Sequence, residues 1–109
     1  PSEAETCAAT AGCIEERIVE LQVAAGGEQA AILSDGVVTA PEHAAANQRF
    51  VACLVAAGID AEVMRTGYAV TDGPAEDDQP AIRACGRQHL DLVDELFRLQ
   101  DARRRLAEG

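Results

Sequence analysis

The run Phe50-Val51-Ala52-Cys53-Leu54-Val55-Ala56-Ala57-Gly58-Ile59 constrains the fold more than any other stretch of this chain. Apolar residues at helical spacing carry one cysteine inward, and a glycine followed by an isoleucine stops the helix as a Schellman turn would. Upstream, Thr39 reads as an N-cap, with Pro41 in the first turn and Glu42 completing a capping box. A helix over about 40–57 follows, with His43, Ala46, Phe50, Cys53 or Leu54, and Ala57 on its inward face.

The chain has 109 residues, which is one domain by length, and a single modest core of that size is often helped by staples. Four cysteines raise the expectation of an oxidising compartment. Cys53 lies near the end of the central helix and Cys85 in the second turn of the final one. If the segment between them returns the chain antiparallel, the two ends meet and a Cys53–Cys85 bridge needs no distortion. Cys7 and Cys13 would then pair with each other. Four cysteines allow three connectivities, and the other two would tie the N-terminal segment to the core.

The remaining elements follow from periodicity. Residues 1–10 are Ser/Thr/Ala/Glu-rich, carry no helical stripe and read as a loose segment. Ile14, Ile18, Leu21 and Ala25 mark one face of a helix over about 12–25, which Gly26-Gly27 ends. A short helix over about 28–33 leads into the turn Ser34-Asp35-Gly36 and a brief extended piece, Val37-Val38-Thr39. Two strand candidates joined by Arg65-Thr66-Gly67 make a hairpin over about 61–71. An acidic linker from Asp72 to Gln79 precedes Pro80, which opens a final helix over about 80–106. Its buried stripe is Ile82, Cys85, His89, Leu92, Val93, Leu96 and Leu99, widened by Leu90 and Phe97. The fold class is therefore mainly α with a small β-hairpin, a disulfide-stapled domain over 11–109 behind the loose segment.

Charge and motifs exclude more than they select. A net charge of −10 disfavours nucleic acid and an anionic membrane surface. All nine basic residues are Arg, which with the abundant Ala points to a GC-rich genome. The longest apolar run, about ten residues, is half of what a spanning helix needs, so no membrane insertion is expected. A start at Pro1 fits a processed terminus with a signal peptide removed, and Glu5-Thr6 before Cys7 does not make a lipid-attachment site. Ser34 to Glu42 resembles the second half of a calcium-binding EF-hand loop, but Ala31 and Leu33 stand where earlier ligands belong. Asp72, Glu76, Asp77 and Asp78 suit a solvated linker better than an ion site. Cys85 and His89, four apart on one helix face, have a spacing zinc sites use, with His43 and Cys53 as conceivable completing ligands. No CxxC, nucleophile elbow, phosphate-cradling loop or HExxH occurs, so neither an enzyme nor a cofactor is expected.

The pattern Asp35-Gly36-Val37-Val38-Thr39, Glu42, Val51-Ala52-Cys53-Leu54, Ala57-Gly58-Ile59 and Ala84-Cys85 resembles small secreted or lipid-anchored actinobacterial proteins of unassigned function. The likeness covers about residues 28–90. It implies an extracytoplasmic location and a paired Cys53–Cys85, while Cys7, Cys13, Pro41 and His43 depart from the pattern. A weaker likeness is to insect odorant-binding proteins, without their six cysteines.

The expectation is a non-enzymatic extracytoplasmic binding or protein-interaction module, presenting its hairpin and acidic linker to an unknown protein or cell-envelope component. One alternative is a carrier of a small apolar ligand in a helical cavity. The other is a zinc-binding domain using Cys85 and His89. A homodimer is conceivable through Leu90, Phe97 and Leu106 of the C-terminal helix.

Overall fold

A computed structural model describes residues 2–65, 67–71, 73 and 75–109. Thr66 of the hairpin joint, Asp72 and Pro74 of the acidic linker, and Pro1 lie outside the described residues. In chain order the elements are α1 (Glu3–Ala8), α2 (Cys13–Ala24), α3 (Gly27–Leu33), α4 (Ala40–Ala56), β1 (Ala61–Met64), β2 (Gly67–Val70), α5 (Gln79–His89) and α6 (Asp91–Glu108), with a 3-10 turn at Glu76–Asp78. The chain is mainly α with one small antiparallel hairpin and two disulfides.

Local signals build α4 at both ends. The Thr39 hydroxyl accepts from the Glu42 N–H at 3.2 Å, and Glu42 accepts from the Thr39 N–H at 2.9 Å. At the far end Gly58 has φ +87°, Gly58 N–H donates to Val55, and Ile59 N–H donates to Leu54 at 2.9 Å. Ile59 folds back into the core. This is the Schellman closure, and it leaves Ala57, expected inside, exposed as the cap residue. Ala46, Asn47, Phe50, Val51 and Leu54 form the buried stripe, with Cys53 half-buried at its margin.

The hairpin pairs Ala61 with Val70 and Val63 with Tyr68, so these four share one face. Tyr68 meets the Phe50 ring edge-on, with centroids 4.5 Å apart, which seats that face on α4. The chain then returns as α5 beside α4.

The expected final helix is in fact two. It breaks at Leu90, whose φ of −131° leaves the helical region, and α6 begins at Asp91. The cause lies in α3. Buried Gln29 donates to the Arg87 carbonyl at 2.8 Å and accepts from the N–H groups of Leu92 and Val93 at 2.9 and 3.3 Å. One side chain thereby caps the end of α5 and the start of α6 together. Gly86 leaves room for the Asp91 carboxylate, because a Cβ there would lie 2.5 Å from Asp91 Oδ1. Leu90 is buried at the break and Phe97 is half-buried against the His43 ring, so of the three residues expected to meet a second copy only Leu106 stands fully exposed.

The opening segment is not loose. Ser2 accepts from the Glu5 N–H and starts α1, which lies along α6 with Ala4, Cys7 and Ala8 against the core. Those three positions are a helical stripe written in small residues. The expected extended piece at Val37–Thr39 does not join a sheet. Gln100 instead serves Val38 as a strand would, accepting from its N–H and donating to its carbonyl, both at 2.7 Å. Leu21, Leu33, Phe50, Leu54, Val93 and Leu96 fill the centre, each at most 2% exposed.

Candidate functional site: a charged groove along α6

The cysteines are placed as two bridges, Cys7–Cys13 and Cys53–Cys85. The second removes the zinc alternative, since Cys85 Sγ is bonded to Cys53 and is no thiolate. His89 lies beside Glu28 instead, with Nδ1 3.8 Å from a carboxylate oxygen that also pairs with Arg49. His43 sits apart from it, on another partner. Among the described residues no group of three or more His, Cys, Asp or Glu side chains is arranged to hold a metal ion.

His43 belongs to a groove of about 920 Å³ that runs along α6 and is walled by α1, the start of α2 and the start of α4. From Asp91 to Arg105 its floor spans about 21 Å at the helical rise. The His43 ring stacks on Phe97, with centroids 4.0 Å apart and planes within 5°. Its Nε2 lies 2.8 Å from Asp94 Oδ1, and because a carboxylate only accepts, Nε2 carries the proton. Buried Asn47 donates to the His43 carbonyl at 3.0 Å and ties the histidine's backbone to its own helix.

The groove's arginines are already matched. Arg98 Nε lies 2.8 Å from Asp94 Oδ2, and Arg105 Nε lies 3.0 Å from Asp101 Oδ2. Arg17 reaches across from α2 to Glu95 with two N–H groups, the second at 2.8 Å. That hydrogen bond, outweighing the cost of burial, pushes the Arg17 pKa further up and keeps it charged. The same pair locks α2 to α6.

The carboxylates are not all matched. Glu3 and Asp91 line the groove without a cationic partner within ion-pair distance among the described residues. Partial burial and then the charge of Asp94 push the Asp91 carboxyl above the usual aspartate range, and Arg87 only partly offsets them. The arrangement has surplus negative charge beside an aromatic pair, in a trench open to solvent. It suits a positively charged guest with an apolar stem.

The groove was not legible beforehand because α1, one of its walls, reads as loose. The signal that existed was the spacing of Asp91, Asp94, Glu95 and Asp101 on one broad face of α6. No helix among the described residues is long and apolar enough to cross a membrane. Comparison with protein-family models, with curated proteins and with solved structures returns no match.

Proposed function

We propose that this chain is a non-enzymatic extracytoplasmic binding module that holds an organic cation in the groove along α6. The observation that carries this reading is the charge balance of the trench. Its three arginines are each engaged by a carboxylate, while Asp91 and Glu3 have no ion-pair partner among the described residues in the same groove as the Phe97–His43 stack. A bound ammonium would relieve the repulsion between Asp91 and Asp94, and its aliphatic stem would cover the exposed part of Phe97. The extracytoplasmic setting is supported by two disulfides in so short a chain and by the likeness of the Asp35–Cys85 pattern to secreted proteins.

An NMR titration with spermidine tests the reading. The expected result is saturable shifts confined to α1, α6 and His43, weakened about fivefold by Asp91→Asn, the equivalent of ~1 kcal/mol. Shifts spread over the whole acidic surface without saturation, or indifferent to Asp91→Asn, would overturn it.

A further inference from the structure

The two bridges differ in what they hold and in how they meet solvent. Cys7 and Cys13 are each half-exposed and line the groove, whereas in the second bridge Cys53 is half-buried and Cys85 is 3% exposed and packed in the core. The first bridge closes a loop with a sequence separation of 6, the second one of 32. Thiol–disulfide exchange requires a thiolate to approach a sulfur in line, so access favours attack on the first.

What the first bridge restrains is also slight. α1 has six residues and no fully buried one. Ala4, Cys7 and Ala8 are its apolar contacts with the core. Among the described residues, no hydrogen bond or ion pair joins α1 to anything beyond the turn into α2. A helix of this length does not hold its shape in water unaided. α1 therefore rests on α6 through close backbone approach and three small side chains, and the bridge ties its end to the start of α2.

We propose that Cys7–Cys13 is a redox-operated clasp, whose selective reduction releases α1 and removes one wall of the groove while Cys53–Cys85 and the helical core stay intact. A dithiol, free or on a thiol oxidoreductase, supplies the two electrons. Its thiolate attacks Sγ of one of the two cysteines, the Cys7–Cys13 bond breaks, and the departing sulfur takes up a proton. The reductant's second thiol then closes its own disulfide and frees the other cysteine as a thiol. The consequence for a ligand rests on the binding role proposed above.

The test is a dithiothreitol titration of the oxidised protein, trapped with N-ethylmaleimide and read by peptide mass mapping. Cys7 and Cys13 are expected to be labelled at reductant concentrations about tenfold below those that label Cys53 and Cys85. In the half-reduced protein, amides of residues 3–9 should exchange about tenfold faster, with α4 to α6 unchanged. A Cys7→Ser/Cys13→Ser double variant should fold and reproduce that exchange pattern without reductant. Simultaneous reduction of both bridges, an α1 still protected after reduction, or a double variant that fails to fold would each overturn the clasp. Spermidine affinity should fall about fivefold on reduction. No spermidine binding by the oxidised protein would overturn the cation reading alone, since labelling and exchange decide the clasp without it.

Discussion

The two ends of this molecule are fastened by the same covalent bond to opposite effect. At one end Cys53–Cys85 joins α4 to α5, helices that already share a packed seam, with the hairpin folded against α4. At the other, Cys7–Cys13 joins a six-residue helix to the start of α2 across an exposed turn. The first bridge constrains a long stretch of the unfolded chain and has one of its two cysteines, Cys85, shielded in the core. The second constrains little chain and is in view of solvent. A disulfide's contribution is thus set by the loop it closes and the packing around it.

Removing the buried bridge with Cys53→Ala/Cys85→Ala should have the largest effect. Chain entropy puts it at about 4 kcal/mol, comparable with the whole stability of a small domain. Urea unfolding followed by circular dichroism should show a much lower midpoint, with loss extending through every helix. An unchanged midpoint would erase the contrast between the two ends.

Gln29→Leu should come next. It leaves the Arg87 carbonyl and the N–H groups of Leu92 and Val93 without partners inside the protein, at a cost of about 2–3 kcal/mol. It also tests whether the ends are coupled, because Gln29 holds the first turn of α6 and α1 lies along α6. Hydrogen exchange should therefore rise in α1 as well as at the break.

That coupling explains what the sequence disclosed and what it concealed. Both ends of α4 were legible because Thr39, Pro41, Glu42 and Gly58 act on residues within four positions of themselves. The break at Leu90 was not, because its cause is an amide on α3 about sixty residues away, and no Gly or Pro marks the spot. Periodicity runs through Cys85, His89, Leu92 and Leu96 as if the helix were continuous. α1 was hidden for another reason: Ala4, Cys7 and Ala8 have helical spacing but too little apolar bulk to stand out. The groove needs both the break and α1, so it was doubly out of reach.

Cys7→Ser/Cys13→Ser is expected to cost less than either change above. The chain-entropy value is about 2 kcal/mol, and fraying of α1 ahead of global unfolding lowers what a global transition reports. The midpoint from urea should move by less than half of the shift seen for the Cys53/Cys85 pair, with α4 and α5 unaffected. A shift equal to that of the buried pair would show that both ends unfold as one.

The smallest effect belongs to Asp91, the residue beside the break at one end of the groove. Its folded-state pKa is raised, by burial first and by Asp94 second, so the folded protein holds this proton more tightly than the unfolded chain does. The stabilisation linked to that proton is complete below the unfolded pKa and is lost as pH rises through the folded one. Asp91→Asn cannot titrate and keeps the shape that fits against Gly86. The variant should therefore gain on the wild type as pH rises from below the ordinary aspartate range to well above it. The carboxylate is exposed enough for water to screen most of the effect, which limits it to a few tenths of a kcal/mol. It also lies in the first turn of α6, where the helix dipole favours negative charge and offsets part of the gain. The sign of the slope, from paired urea titrations below and above that range, is thus the decisive quantity. A wild type that gains on the variant with rising pH would show that Asp91 is already satisfied within the fold, and would leave the groove without its vacancy for a cation.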